Sequence, residues 1–114
     1  MNTLKNKVQL IGRLGAAPEV RTLQNGSKVA NMRLATNEYK RGPNGEKIEN
    51  TQWHSLVAWG SEAEVAEKYL QKGAEILIEG KLHYREYTDK NGNQRQVTEI
   101  EVAHLLMLDK KAVA

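Results

Sequence analysis

Two adjoining segments near the middle of the chain have opposite periodicities: Thr51-Gln-Trp-His-Ser-Leu-Val-Ala-Trp-Gly60 and, directly after it, Ser61-Glu-Ala-Glu-Val-Ala-Glu-Lys-Tyr-Leu-Gln-Lys72. The first segment alternates as a β-strand does, which places Trp53 and Trp59 on one face and His54 on the other. The second segment carries apolar residues at helical spacing and is the only stretch that predicts a good helix. A strand therefore leads into a helix near the middle of the chain.

The predicted helix has recognisable signals at both ends. Ser61 and Glu64 form a capping-box pattern, in which each side chain satisfies a free backbone N–H of the first turn. Lys72 suits the negative end of the helix dipole, and Gly73 can take the left-handed conformation that ends a helix. These signals predict a helix over Ser61 to Lys72.

Strands lie on both sides of the helix in the sequence. Four are predicted besides the tryptophan strand, at Lys7–Leu14, Val29–Thr36, Glu75–Thr88 and Gln96–Leu108. A mobile hairpin loop is predicted over Lys40–Lys47, which contains Asn44-Gly45, and a tight hairpin turn is predicted at Asn91-Gly92. Three strands, a helix and two more strands is the order of the oligonucleotide/oligosaccharide-binding (OB) fold. We therefore predict an all-β domain with one helix, a five-stranded OB-fold barrel with long hairpin loops.

Composition and charge bound the function. The chain has 114 residues, of which 39% are hydrophobic and 27% charged, and this suits one globular domain. It has no apolar run long enough to cross a bilayer, no secretion signal at its start and no cysteine, so we expect a cytoplasmic, nucleoid-associated protein without thiolate metal sites. A net charge of +3 is compatible with a polyanionic partner but does not require one.

The tryptophan pair has two interpretations. Two flat rings on one sheet face, beside strands that carry Arg and Lys, suit the stacking of unpaired bases, at roughly 1–3 kcal/mol per base. Tryptophan is also typical of hydrophobic cores and of subunit interfaces. The pair alone does not decide between these.

Several short motifs, taken in their order and spacing, point to one family. They are Asn6-Lys-Val-Gln-Leu-Ile-Gly-Arg-Leu-Gly15, Pro18-Glu-Val-Arg21, Asn25-Gly26, Val29-Ala-Asn31, Leu34-Ala-Thr36, Trp53-His54, Glu64-Val-Ala66, Tyr69-Leu70, Lys72-Gly73 and Ile78-Glu-Gly80. Between Lys5 and Met107 the chain resembles the bacterial single-stranded DNA-binding (SSB) proteins. The resemblance implies an OB fold, a homotetramer and sequence-independent wrapping of single-stranded DNA. We expect no cofactor and no metal.

The resemblance also implies which rings stack on bases. Trp53 and Trp59 match stacking positions of the family, and Tyr87 matches a position where relatives carry Trp. The fourth position falls beside Tyr39 and Lys40. Lys40 aligns without a gap, whereas Tyr39 lies one residue early, and a step of one residue turns a strand side chain to the other face. Tyr39 is the expected fourth ring, and which of the two residues takes the position stays open.

Other polar residues have weaker assignments. His54 is expected near a subunit contact, as the resemblance implies, and the other histidines show no metal-ligand spacing with it. Gly12, Gly15 and Gly26 fit bulges or turns. Basic side chains are candidates for phosphate contacts, although a solvated strand face explains each alone nearly as well: Arg33, Lys81, Arg85, Lys7, Arg13, Arg21 and Lys40.

We therefore predict a binding protein without enzyme activity that coats single-stranded DNA during replication, recombination and repair. The alternative within the same fold is a primosome-type protein that acts as a helicase-loading partner, and such proteins keep fewer stacking rings. An OB hydrolase or saccharide binder would need convergent carboxylates or a metal site, and the sequence shows neither.

The last residues bear on protein partners. We divide the chain into an OB domain over 1–108 and a short C-terminal extension over 109–114. SSB proteins usually continue into a polar tail whose acidic-hydrophobic tip docks onto replication and repair enzymes. Leu108-Asp-Lys-Lys-Ala-Val-Ala114 has two lysines and no acidic run. We therefore expect weak or absent recruitment of such enzymes by this end.

Overall fold

The computed structural model describes residues 4–108, which contain six strands and one helix. In chain order they are β1 (Val8–Leu14), β2 (Glu19–Thr22), β3 (Lys28–Arg41), β4 (Lys47–Trp59), α1 (Ser61–Tyr69), β5 (Glu75–Thr88) and β6 (Gln94–Met107). The predicted C-terminal extension over 109–114 lies outside the described residues.

Five of these strands close into a barrel, which confirms the predicted OB fold. Around the barrel the order is β1-β5-β6-β4-β3, with β4 and β6 parallel and the other neighbours antiparallel. β1 closes the ring because it pairs with β5 along its length and with β3 at Arg13↔Ala35 and Leu14↔Leu34. Gly12 lies where β1 crosses β3, and a Cβ there would collide with the Ala35 carbonyl oxygen. Gly12 is therefore a close-approach glycine inside a strand, and its prediction as a bulge or turn residue is wrong.

β2 is a strand that the sequence did not predict. It pairs with β3 from Glu19↔Asn31 to Thr22↔Lys28 and adds a short outer edge next to the barrel. Its four residues are too few and too polar to show an alternating pattern. Gly26 lies in the turn between β2 and β3 with φ +88, as expected of a turn glycine.

The predicted capping box at the start of α1 is wrong. Gly60 is the residue before the helix, with φ 61 and ψ −123, and no side chain caps the first turn. The Gly60 N–H donates to the Lys28 carbonyl at 3.0 Å, so β4 stays paired up to the point where the chain turns. Ser61 is consequently already helical, and its Oγ donates to Glu62 Oε1 at 3.0 Å instead of capping.

α1 also ends earlier than predicted. Leu70 leaves the helix with an extended backbone, φ −94 and ψ 146, and its side chain enters the core with 6% exposure. The gain from burying this leucine ends the helix before Lys72. Gly73 takes a left-handed φ of 87, but it does so in the turn that leads to β5.

The β3–β4 hairpin is longer than predicted. β3 continues to Arg41 and β4 begins at Lys47, so the loop expected over 40–47 is reduced to a tight turn. The Gly42 N–H donates to the Glu46 carbonyl at 2.7 Å, and Gly45 has φ +83. The extra strand residues continue the β3–β4 ladder without a break beyond the barrel, and this fixes the face of every side chain on the hairpin.

The core fills the barrel interior and continues under α1. The largest fully buried side chains of this core are Leu34, Leu56, Ile76 and Ile78. α1 covers this core with alanines, Ala63 and Ala66, which let the helix lie close to the strands.

Candidate nucleic-acid interface

One outer face of the barrel carries both tryptophans. On β4 the core-facing residues Leu56 and Ala58 are 2% and 0% exposed, so the alternate positions point outwards. Trp53 and Trp59 occupy such positions and are 52% and 50% exposed. The prediction that they share a face is confirmed, and the interpretation as core tryptophans is wrong. We call this outward side of β4, together with the outward side of the neighbouring strands, the tryptophan face.

Two contacts fix the position of the Trp53 ring. Arg33 lies on the adjacent strand and points its guanidinium over the indole, with Cζ 5.7 Å from the ring centroid. Gly15 lies against the ring edge, where a Cβ would be 2.6 Å from Cζ3 and 2.8 Å from Cη2. Any side chain at position 15 would therefore clash with the indole ring of Trp53. The sequence had suggested only a bulge or turn glycine.

Tyr39 lies on the tryptophan face, and Lys40 lies on the opposite face. The ladder pairs Ala35 with Trp53 and runs without a break to Tyr39↔Glu49 and Lys40↔Ile48. Tyr39 is four residues from Ala35, so the two side chains share a face. The ring is 56% exposed, and Lys47 Nζ is 4.2 Å from its centroid. The register thus favours Tyr39 over Lys40 as the aromatic member of this surface.

Tyr87 extends the same surface along the β5–β6 hairpin. Ile76 and Ile78 on β5 face the core, so Arg85 and Tyr87, at odd positions, face outwards. The Tyr87 ring is 46% exposed, with Arg85 Cζ 6.0 Å from its centroid.

The turn that follows Tyr87 is held by Asp89. Its Oδ1 accepts hydrogen bonds of 2.9 Å from the backbone N–H groups of Asn91 and Asn93, and its Oδ2 accepts one of 2.9 Å from Arg95 Nε. The hydrogen bond from Arg95, aided by these backbone donors, lowers the pKa of Asp89 below its usual value. Gly92 has φ 82, as the predicted Asn91-Gly92 turn requires.

The candidate phosphate-binding cations divide by location. Arg21, Trp59 and Arg85 line one cavity of about 370 Å³ on the tryptophan face, and Arg33 and Arg85 line a neighbouring one. Lys81 shares an open cavity with Trp59 and with Lys7.

Lys7 and Arg13 already have partners. The Lys7 ammonium lies 3.0 Å from Glu79. The Arg13 guanidinium donates to the Gly73 carbonyl at 2.9 Å and lies 3.8 Å from Glu75. The structure therefore directs Arg13 to the turn after α1, away from the tryptophans.

Two carboxylates on this face were not identified from the sequence. Glu99 Oε1 lies 3.4 Å from Arg85 Nε, and Glu101 Oε1 lies 3.8 Å from Lys81 Nζ. Glu101 also lies 3.8 Å from His83 Nδ1. The predicted hairpin turn contained the signal, because an antiparallel register through 89–93 places residue 101 opposite residue 81.

His54 lies behind the tryptophan face. Its Nε2 is 2.9 Å from Thr36 Oγ1, and the ring is half-buried. Within residues 4–108 no cluster of three or more His, Asp or Glu side chains is arranged to hold a metal ion. No helix among these residues is long and apolar enough to span a membrane.

Comparison with known proteins identifies the family. The sequence profile of the "Single-strand binding protein family" matches residues 5–108. The chain belongs to this family. The SSB resemblance carried by the sequence motifs is thereby confirmed, from β1 to the end of β6.

Relatives of this SSB-family chain agree in sequence and in fold. "Single-stranded DNA-binding protein 1" of Xylella fastidiosa (strain 9a5c) is 44% identical over 107 residues, which are 93% of this chain and 79% of that protein. The solved structure "Plasmodium falciparum SSB complex with ssDNA" superposes with a TM-score of 0.82 at 37% identity, and the match covers 96% of this chain and 100% of that one. A deletion mutant of the single-stranded DNA binding protein from Thermus aquaticus gives a TM-score of 0.78 at 28% identity, covering 93% of this chain and 51% of that one.

Proposed function

We propose that this chain binds single-stranded DNA along the tryptophan face without regard to base sequence. The observation that carries the proposal is the exposure of four aromatic rings on this face, Trp53, Trp59, Tyr39 and Tyr87, each about half open to solvent. Large apolar rings gathered on one surface mark a binding site. Any base can stack on them, because every base has a π face.

Cations next to the rings suit a ligand that alternates bases with phosphates. Arg33 lies over Trp53, Lys47 over Tyr39 and Arg85 near Tyr87. A base stacked on each ring would bring its own phosphate close to that cation. Stacking and phosphate neutralisation would thus act together at these three rings, Trp53, Tyr39 and Tyr87.

The biological role follows from this ligand. We propose that the protein coats DNA left unpaired during replication, recombination and repair, in the cytoplasm beside the nucleoid. Its activity is binding and protection rather than catalysis. The four exposed rings favour this role over a helicase-loading partner with fewer stacking residues.

We also propose that the chain assembles as a homotetramer through a second outer face. Ile11, Leu77 and Leu106 lie side by side across β1, β5 and β6, and Ile11 and Leu106 are 56% and 57% exposed. Another copy that covers this apolar row would remove it from water. His54, on the side of β4 away from the tryptophans, is proposed to lie near a subunit contact.

A fluorescence titration tests the DNA-binding proposal. Both emitters lie on the tryptophan face, so poly-dT should quench the intrinsic tryptophan fluorescence strongly and saturably. A duplex of equal length should compete poorly, because its bases are already stacked. The proposal fails if the folded protein shows no binding to poly-dT by fluorescence or by anisotropy of a labelled strand.

The salt dependence of the same titration tests the role of the cations. On single strands the logarithm of the affinity falls by about 0.7 per tenfold change in salt for each phosphate neutralised. Affinity should therefore fall with salt yet persist at high salt, because stacking releases no ions. A flat response would show that the basic residues of this face do not contact phosphate.

A further inference from the structure

The cations of the tryptophan face are of two kinds. Arg85 and Lys81 on β5 already have carboxylate partners on β6, Glu99 at 3.4 Å and Glu101 at 3.8 Å. The neighbouring cavities of the tryptophan face that contain Arg33, Arg85 and Trp59 are here called the groove. Arg33 lies across this groove from Arg85, points over Trp53 and has no carboxylate at ion-pair distance within residues 4–108. The tryptophan face thus offers a cation without a carboxylate partner, Arg33, and two that are already paired, Arg85 and Lys81.

The two carboxylates lie where a polyanion would pass. Glu99 lines both cavities of the tryptophan face, beside Ser55 in one and beside Trp59 in the other. Its side chain is only 11% exposed, so it is built into the groove wall. Glu101 lines the cavity that contains Trp59 and Lys81. A negative charge in these places opposes the approach of DNA and is not explained by stacking.

We propose that Glu99 and Glu101 act as built-in competitors of the DNA phosphates. Each carboxylate pairs with its cation when no DNA is bound and pairs with it again when a phosphate leaves. This competition lowers the affinity for DNA and speeds its release. The inference rests on the proposed binding of single-stranded DNA and adds the residues that tune it.

Counterion balance gives this mechanism a measurable signature. A phosphate that meets a free cation releases a condensed counterion, which makes binding salt-dependent. A phosphate that displaces Glu101 from Lys81 also releases a counterion, but the freed carboxylate then attracts a cation from solution. The two effects offset each other, so Arg85 and Lys81 contribute little to the salt dependence until their carboxylates are neutralised.

The test compares Glu101→Gln and Glu99→Gln with a matched control, Glu67→Gln. Glutamine keeps the shape and an acceptor oxygen but removes the charge. Glu67 pairs with Lys28 on the helix side of the barrel and raises the pKa of that lysine, so the control makes the same charge change away from the groove. Poly-dT is the probe because thymine has no amino group that could donate to a carboxylate.

Both groove variants should bind poly-dT more tightly than the control and dissociate more slowly. Their salt slopes should steepen by about 0.7 each, the value for one additional neutralised phosphate. Adding Lys81→Met to Glu101→Gln should cancel the gain, which a merely structural role of Glu101 would not predict.

Two results separate the inference from the function on which it rests. Groove variants that match Glu67→Gln in affinity and salt slope, while the wild type binds poly-dT, would overturn the inference alone. A wild type that does not bind poly-dT would overturn the proposed function itself. Thermal melts of each variant check that the fold is intact.

Discussion

The substitution Gly15→Ala tests how the barrel positions Trp53. The new Cβ would lie 2.6 Å from Cζ3 and 2.8 Å from Cη2 of the indole, whereas non-bonded carbons rest at about 3.5–4.0 Å. The ring must therefore move by about 1 Å, the difference between these contact distances. Because Trp53 is half exposed, its ring can move towards solvent. The loss of stability should therefore be smaller than in an overpacked core, where it is typically about 1–3 kcal/mol.

Displacement of the ring should weaken DNA binding. A shifted indole leaves its place under the Arg33 guanidinium and no longer offers the same plane to a base. The loss should be a fraction of the roughly 1–3 kcal/mol that one stacked base contributes, with Trp53→Ala as its upper bound. In the Trp53→Ala background, Gly15→Ala should cost almost nothing more, because the ring that it displaces is gone.

A double-mutant cycle measures this coupling directly. The wild type, the two single variants and the double variant are compared by anisotropy of labelled poly-dT, with thermal melts as a check of folding. Gly26→Ala is the control, because a side chain there meets nothing within 4 Å and only strains the left-handed backbone of a distant turn. Additive effects of Gly15→Ala and Trp53→Ala, or wild-type binding by folded Gly15→Ala, would show that Gly15 does not position the Trp53 ring for DNA.

Three further predictions address other parts of the molecule. Tyr87→Ala should weaken poly-dT binding by roughly 1–3 kcal/mol, whereas Tyr84→Ala, which removes an exposed ring from the other side of the same strand, should not; equal losses in a titration would contradict this assignment. Asp89→Asn should lower the melting temperature at neutral pH, and the difference from the wild type should disappear on acidification. The pKa of Asp89 is lowered in the folded state. Such a carboxyl stabilises the fold above its unfolded pKa, and this stabilisation is lost as the pH falls through the folded pKa. A difference that is independent of pH would argue against this role of the turn. Ile11→Glu should break the proposed tetramer by placing a charge in an apolar contact, and an unchanged mass by light scattering would exclude that face as the interface.

Most of the barrel could be predicted from the sequence because its signals are local and repeated. Alternation along the tryptophan strand gave the correct faces, and Asn91-Gly92 gave a hairpin turn whose Gly92 has the required positive φ. The missed strand Glu19–Thr22 shows the limit of this approach. It is held by its pairing with β3 rather than by any pattern of its own.

The errors at the helix have a tertiary cause. Ser61 carries a good capping signal, but the pairing of Gly60 with Lys28 decides where the strand ends and so removes Ser61 from the capping position. Leu70 continues the helical pattern in sequence, yet burial in the core draws it out of the helix. Local propensity is worth only a few tenths of a kcal/mol per residue and yields to such contacts.

The site was only partly predictable, for a different reason. The two tryptophans were found because their faces follow from one strand. The side of Tyr39 depended on how far the β3–β4 ladder extends, and the contact of Gly15 with Trp53 joins residues far apart in sequence. Glu99 and Glu101 were missed because positive side chains were sought at a proposed polyanion site and carboxylates were given no weight.

Base stacking on the tryptophan face is tested by the affinity of the double variant Trp53→Ala, Trp59→Ala for labelled poly-dT, measured by anisotropy because the variant has no tryptophan. Loss of two stacked contacts should cost roughly 2–6 kcal/mol. Tyr69→Ala, which removes a 62% exposed ring on α1, should bind as the wild type does. Wild-type affinity in a folded double variant would contradict the claim that DNA stacks on the tryptophan face.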